Sequence, residues 1–193
     1  DGQLLQPRRG AVPARVTGTM NMAPLQQEQL VARADGDPSS SSLRVRVIGA
    51  RDGQLLTDHL IEELPVGDGV VFVPQDDDVS YLAVIERHAA TGRVGTGFVR
   101  GTGLRAGAYA STVAHDAHNC VVVGRDAASM HACAERLNAI GGGIVVAVDG
   151  VTTHELALPI AGIMTDAPPS DVVHALDLLN GQLRELGVTV DAP

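Results

Sequence analysis

Apolar and polar residues alternate along the first half of the chain as they do in half-buried strands. Leu43-Arg44-Val45-Arg46-Val47 alternates at every position, and apolar runs at residues 70–73 and 81–85 predict further strands. Asp-Gly pairs at 52–53, 68–69 and 149–150 have the composition of hairpin turns. This half of the sequence therefore predicts strands joined by tight turns.

The second half repeats apolar residues at helical spacing in two places. After Asp126, a suitable N-cap, apolar residues at 130, 133, 134 and 137 predict a helix that ends at Gly141-Gly142-Gly143, before a strand at 144–148. A final helix begins near Pro168-Pro169-Ser170, ends at Gly187 and carries one apolar face: Val172, Leu176, Leu179, Leu183 and Leu186. A weaker helix is predicted around residues 24–34.

These elements predict an α+β fold, a mixed and largely antiparallel sheet with two to three helices packed on it. The strands that flank residues 126–140 are expected to pair in parallel. One domain is expected over residues 13–193, after a connecting segment at 1–12, with a loop at 35–42. Because the sequence begins at Asp1 without an initiator Met, we expect it to be part of a longer polypeptide.

Composition narrows the possible functions. The 193 residues are 45% hydrophobic but 2% aromatic, and the net charge is −9, so nucleic acid is not an expected partner. Neither a run of 18 apolar residues nor a signal peptide is present, which predicts a cytoplasmic protein without a membrane partner. Cys120 and Cys133 lack Cys-x-x-Cys spacing and are interpreted as buried small hydrophobes.

The densest group of polar residues is His115, Asp116, His118 and Asn119, between two apolar, strand-like runs. On a regular strand the two histidines would point to opposite faces, and they converge only if the chain turns between them. Such a group can close a buried turn by hydrogen bonds to the backbone. It can also bind a heterocycle or relay a proton near neutral pH, so both interpretations stay open.

Three other segments are weaker candidates. Glu86-Arg87-His88 fits an exposed or interdomain ion pair better than a catalytic group. Gly95-Thr96-Gly97 and Gly101-Thr102-Gly103 complete no nucleotide-binding motif, which favours structural glycines. The apolar run at residues 156–164 is longer than one strand needs; it fits a buried strand that leads into a turn better than an interaction surface.

Several segments, taken in order, resemble the C-terminal domain of bacterial adenine deaminases, members of the amidohydrolase superfamily. The resemblance runs from about residue 12 to residue 187 and rests on Val45-Arg46-Val47-Ile48-Gly49, Val84-Ile85-Glu86-Arg87-His88, Gly95-Thr96-Gly97-Phe98-Val99-Arg100-Gly101, Ala110-Ser111-Thr112-Val113-Ala114-His115-Asp116-Ala117-His118-Asn119, Gly141-Gly142-Gly143-Ile144-Val145-Val146 and Leu158-Pro159-Ile160-Ala161-Gly162-Ile163-Met164.

The resemblance implies a part of an enzyme that hydrolyses adenine to hypoxanthine and ammonia with a metal-activated hydroxide. It implies manganese or iron in the full-length enzyme, with the metal ligands on a preceding (β/α)8 barrel that this chain lacks. The chain alone is therefore expected to bind no catalytic metal and to be inactive. It also implies purine salvage or adenine catabolism, a homo-oligomer, and an unknown set of catalytic residues.

Within such an enzyme, His115, Asp116, His118 and Asn119 are the candidates for a place near the substrate, at the barrel mouth or a subunit interface. The alternative is a non-catalytic module for interaction or oligomerisation. These two functions differ in what the polypeptide upstream of Asp1 contains.

Overall fold

A computed structural model describes residues 10–34, 40–115 and 117–190, where nine strands form one sheet and two α-helices pack on it. The strands are β1 (Ser42–Gly49), β2 (Asp58–Gly67), β3 (Val70–Val71), β4 (Val79–Ile85), β5 (Val94–Arg100), β6 (Ala108–Ser111), β7 (Cys120–Gly124), β8 (Gly143–Val148) and β9 (Val151–Ala157). The helices are α1 (Ala127–Ile140) and α2 (Pro169–Glu185), and short 3-10 turns lie at Ala14–Val16 and Gln27–Gln29.

The strand order is β3-β2-β1-β5-β4-β7-β6-β8-β9. Every neighbouring pair is antiparallel except β1 and β5, which run parallel and are joined by two residue pairs, Ile48 with Val99 and Gly49 with Arg100. The predicted α+β class with a mixed, largely antiparallel sheet is confirmed. No barrel occurs in the part of the chain that the structure describes.

Both strongly predicted helices form where their capping residues place them. The Asp126 side chain accepts a hydrogen bond from Ser129 N at 2.7 Å, and Gly141 ends α1 with φ of +81°. Pro169 begins α2, which buries Leu179 and Leu183. Among the described residues, neither helix is long and apolar enough to cross a membrane.

The helix predicted around residues 24–34 is wrong. This segment contains the 3-10 turn Gln27–Gln29, after which its backbone pairs with the edge of the sheet. Ala34 N donates to Gly69 O at 3.0 Å, and Val71 N donates to Ala32 O at 3.0 Å. A helix would use these backbone groups internally, so the hydrogen bonds to the sheet exclude it.

The predicted parallel pairing around α1 is also wrong. β7 and β8 do run in the same direction on either side of α1, but β6 lies between them and pairs antiparallel with both. The connection from β7 through α1 to β8 therefore passes over one strand. Its ends show the predicted strand-helix-strand pattern, whereas the inserted strand, β6, precedes β7 in the chain and lies outside that pattern.

Two of the predicted Asp-Gly pairs form tight turns between strands. Asp68 and Gly69 join β2 to β3, and Asp149 and Gly150 join β8 to β9, with all four φ angles positive. The third pair belongs to a longer connection between β1 and β2, residues 50–57. The expected boundary at residues 12–13 stays a prediction, and residues 1–9 and 35–39 lie outside the described residues.

The two faces of the sheet are covered differently. The first face packs against α1 and the segment at residues 20–34, and its core includes Val47, Phe98 and Val122. On the second face, α2 packs on β8 and β9, and its leucines join Tyr109, Val123 and Val146 in a separate cluster. The strands β1, β2, β4 and β5 lie beyond the part of this face that α2 covers.

Candidate functional site

The loop that joins β6 to β7, residues 112–119, carries the polar group and is called the cluster loop here. Its first residue, Thr112, is buried; its hydroxyl donates to Gly162 O at 2.5 Å and accepts from Gly143 N at 2.7 Å. The chain then turns, because Ala117 N donates to His115 O and His118 N donates to Ala114 O, both at 3.0 Å. His118 has φ of +46°, which is uncommon for a residue with a side chain.

The side chain of Arg87 stabilises this turn. Its side chain is 2% exposed, and its Nε donates to His118 O at 2.5 Å while Nη2 donates to Ala161 O at 3.1 Å. Gly162 leaves the space that the guanidinium occupies, since a Cβ there would lie 2.6 Å from Nη1. Burial lowers the pKa of Arg87. Arg87 therefore links two loops that lie 31 and 74 residues away in sequence.

The neighbours of Arg87 complete the support. The Glu86 carboxylate accepts from the backbone N of His88 at 2.5 Å, of Ala89 at 2.7 Å and of Thr91 at 3.0 Å. These hydrogen bonds, that of Thr91 first, lower the pKa of Glu86 to about 2. The ring of His88 donates from Nε2 to Ala117 O at 2.8 Å.

The interpretation of Glu86-Arg87-His88 as an exposed ion pair is wrong for Arg87, which is buried, whereas an interdomain pair of Glu86 or His88 stays a prediction. Among the described residues, no carboxylate lies within ion-pair distance of Arg87, whose hydrogen bonds go to two carbonyl oxygens and to the sulfur of Met20. All three side chains instead shape loops, and two of them contact the cluster loop directly.

The four predicted site residues have different environments. His115 is exposed, whereas His118 and Asn119 are partly buried. The Nδ1 atom of His118 and the Oδ1 atom of Asn119 are buried and have no hydrogen-bond partner among the described residues. Asp116 lies outside the described residues. The turn that sequence reasoning required between the two histidines is present.

A cleft of about 570 Å³ lies beside His115 on the second face of the sheet. Its floor is apolar, formed by Val99 and Val123 with Tyr109, whose pKa is raised by burial. One wall is the connection between β1 and β2, where the Arg51 guanidinium binds the Asp58 carboxylate with N–O distances of 2.5 and 2.7 Å.

Sequence reasoning missed this wall, which was interpreted as a hairpin turn. Its available signal was Leu55-Leu56, two leucines that follow Asp52-Gly53 after one residue, where polar residues are usual. Arg87 gave a weaker signal, because it is one of two adjacent charged residues that follow an apolar strand.

The second glycine motif, Gly101-Thr102-Gly103, binds the carboxylate of Asp78 through its backbone. The backbone N of Gly103 donates to Asp78 Oδ1 at 2.7 Å, and that of Gly101 donates to Oδ2 at 3.1 Å. A Cβ at either glycine would lie 2.5 Å from a carbonyl oxygen. The amides of Gly101 and Gly103 therefore bind a carboxylate of the chain itself, which fits the structural interpretation of this motif.

A second polar network lies nearby and is structural. The Arg100 guanidinium binds Glu62 and Asp77 with N–O distances of 2.6–2.9 Å, and the hydrogen bonds from Arg100 lower the pKa of Asp77. Arg125, which is buried, donates to the carbonyl oxygens of Pro74, Asp77 and Val79. In the described part of the chain, no three His, Cys, Asp or Glu side chains converge to hold a metal ion.

Fold and site together define an α+β domain in which a polar loop, held by hydrogen bonds from Arg87 and His88, lies beside a cleft with an apolar floor. The family model of the adenine deaminase C-terminal domain matches residues 54–193, and the chain belongs to this family. The stretch that carried the sequence resemblance, with the cluster loop, lies largely inside this match.

Curated relatives agree in name and in extent. The adenine deaminase of Methylobacterium nodulans is 44% identical over 186 residues, which are 96% of this chain and 32% of the relative. That of Oleidesulfovibrio alaskensis is 43% identical over 91% of this chain and 30% of the relative. That of Dehalococcoides mccartyi is 34% identical over 100% of this chain and 33% of the relative. The chain thus spans about a third of the length of these relatives.

Proposed function

We propose that this chain is the C-terminal part of an adenine deaminase, which hydrolyses adenine to hypoxanthine and ammonia. The observation that carries the proposal is 44% identity over 96% of the chain to a protein of that name. On this proposal the whole protein is a cytoplasmic homo-oligomer that acts in purine salvage or adenine catabolism, and its preceding part is an amidohydrolase barrel.

The metal belongs to the preceding part on this proposal. A manganese or iron ion would there supply hydroxide near neutral pH. The residues described here do not fit such an ion, because their donor groups do not converge and the carboxylates of Glu62, Asp77 and Asp78 are bound to arginine or to backbone N–H. We accordingly assign no catalytic step of the metal to this chain.

The role that we propose for this chain is to position the purine, or a group that contacts it, through the cluster loop. His115 reaches solvent at the cleft, while His118 Nδ1 and Asn119 Oδ1 have unused hydrogen-bonding capacity. An unpaired buried polar atom costs about 1–3 kcal/mol, so such atoms fit a site that is completed by another domain or by substrate. His118 also has a positive φ, and residues in such sparsely populated backbone conformations cluster at functional sites.

The first experiment measures adenine loss and ammonia release with added manganese or iron. The longer polypeptide, with this chain at its C-terminus, should turn adenine over, whereas this chain alone should not. Turnover by the isolated chain above background would contradict the assignment of the metal to the preceding part. A longer polypeptide without turnover would contradict the proposed activity.

The second experiment replaces the histidines in the longer polypeptide. His115→Asn and His118→Asn should lower kcat/KM at least tenfold, while His174→Asn, an exposed histidine on α2, should leave it unchanged. Because His115 is exposed, its replacement should leave the melting temperature within about 1 °C of the parent. Parental kinetics for both variants would assign the cluster loop to a structural role.

The alternative, a non-catalytic interaction module, loses its original support. The run at residues 156–164 is the end of β9 followed by a turn, with Leu156 and Leu158 buried. Arg87 binds one carbonyl of that turn and Thr112 binds the next. A different surface, on the second face of the sheet, carries the argument for an interface.

A further inference from the structure

Half of the second sheet face is uncovered in the described structure, and its exposed side chains are both apolar and charged, since Arg46 and Glu63 share this face. α2 packs on β8 and β9, whereas β1, β2, β4 and β5 present their second-face residues beyond it. Ile48 and Ile61 there are 42% and 48% exposed, and Val84 is also exposed. We call this surface, from β2 across to β4, the open face.

Two glycines at the centre of the open face leave bare backbone. Gly97 pairs with Leu82, and Gly95 pairs with Val84, in an unbroken register between β5 and β4. A Cβ built on either glycine meets nothing within 4 Å, and neither has positive φ. Neither a bulge nor a tight turn therefore requires glycine here. Bare backbone inside a strand is typical of places where another chain approaches closely.

The connection at residues 50–57 adds two exposed apolar side chains beside the open face. Leu55 is 94% exposed and Leu56 is 77% exposed, and Leu55 lines the cleft that also contains His115. Burying one leucine fully stabilises a protein by about 1.5–3 kcal/mol, so two adjacent exposed leucines are a costly arrangement in water. A partner surface would recover that free energy.

The N-terminal segment of the described chain is bound to the loops around Arg87. Ala161 N donates to Val16 O at 2.6 Å, and Asn21 N donates to Arg87 O at 2.8 Å. Residues 16–21 therefore lie at the end of the sheet where Arg87 contacts the cluster loop. That loop also places His115 at the cleft on the second face.

We infer that the open face and Leu55-Leu56 are the surface on which the preceding two-thirds of the same polypeptide packs. That length is what the relatives have beyond the matched region. The inference rests on the proposed function for the existence of a preceding domain, but not for its chemistry. The occupant is this domain rather than a second copy, because the cleft lined by Leu55 also contains His115 of the cluster loop, and about two-thirds of each relative lies outside the matched region.

The test compares this chain alone with the same chain joined to the N-terminal two-thirds of the Methylobacterium nodulans relative. Hydrogen exchange should show at least tenfold slower exchange of amides in 50–57 and β5 in the joined polypeptide. Gly97→Val should leave the melting temperature of the isolated chain unchanged or raised, because the space is open and valine favours strands. In the joined polypeptide the same variant should abolish the added protection.

Two matched variants control this result. Gly181→Ala, at a helical glycine whose Cβ also meets nothing within 4 Å, should leave the added protection intact. Leu55→Asp should remove protection, whereas Leu178→Asp, at an exposed leucine on α2, should not. Sedimentation of the isolated chain mixed with the separate N-terminal part should show association that Leu55→Asp weakens, which covers the case of a joined polypeptide that misfolds.

The outcomes separate this inference from the proposed activity. Equal exchange in the isolated and joined chains, or a Gly97→Val variant that unfolds the isolated chain, would overturn the inference. Self-association of the isolated chain through Leu55, without binding of the N-terminal part, would assign the face to a second copy and also overturn it. A joined polypeptide with a protected face but without adenine turnover would contradict the activity alone.

Discussion

Replacing Arg87 with methionine should destabilise the domain more than any exposed arginine does. Met fills much of the same volume but leaves His118 O and Ala161 O without their donors. A hydrogen bond from a charged donor contributes about 1.5–3 kcal/mol, so two of them contribute about 3–6 kcal/mol. Burial opposes the charge of Arg87, and relief of that penalty reduces the net loss to about 2–4 kcal/mol.

Urea unfolding of the chain at pH 7 measures this loss. With a slope near about 2 kcal/mol per molar urea, the midpoint of Arg87→Met should fall by about 1–2 M at unchanged slope. The matched control is Arg136→Met, which removes an ion pair between half-exposed side chains, Arg136 and Glu155, and should cost less than about 1 kcal/mol. Arg87→Lys keeps a donor and should lie between the parent and Arg87→Met.

Loss of the Arg87 guanidinium should also increase local backbone opening in the cluster loop. Amides of residues 112–119 should exchange faster in Arg87→Met, because the carbonyl of His118 loses its donor at a positive φ. If Arg87→Met were no less stable than Arg136→Met, the buried guanidinium would make no net contribution to stability. The role of Arg87 in holding the cluster loop would then be refuted.

Two further predictions concern acid stability and glycine positions. The pKa of Glu86 is lowered from 4.5 to about 2, so its contribution to stability is complete above pH 4.5 and disappears as the pH falls through about 2. The melting temperature of Glu86→Gln should therefore be lower than that of the parent at pH 7 and equal to it near pH 2. A difference in melting temperature that does not change with pH would contradict this. Gly181→Ala in α2 should raise stability by about 0.5–1 kcal/mol, whereas Gly162→Ala, with φ of +75° and a Cβ 2.6 Å from Arg87 Nη1, should lower it in the same assay; equal effects would show that the space beside Arg87 adapts.

Local patterns predicted the elements whose ends are determined by nearby residues. Asp126 and Gly141 end α1 through contacts within three or four positions, and Asp149-Gly150 has the positive φ angles of a two-residue hairpin turn. The segment at 24–34 failed because its backbone groups bind β3, which lies some 40 residues away. The position of β6 between β7 and β8 failed for the same reason, since no residue near α1 carries that information.

The candidate site divides in the same way. Crowding of polar residues between apolar runs was enough to indicate the cluster loop and the turn inside it. Arg87, which shapes that loop, could not be assigned because its partners at His118 and Ala161 are remote in sequence. Gly95 and Gly97 resembled a phosphate motif in sequence, and their bare, open surroundings become visible only once β5 has neighbours.

The parallel pairing of β1 with β5 divides the sheet into two parts of unequal attachment. β1 and β2 share eight residue pairs within one local hairpin, whereas β1 and β5 share two pairs across about 50 residues of chain. Arg100 reinforces this junction from β5 by binding Glu62 on β2. The hairpin and the remaining strands therefore meet at a natural boundary between cooperative folding units, where sub-global opening under mild denaturant should begin and where proteases should first gain access.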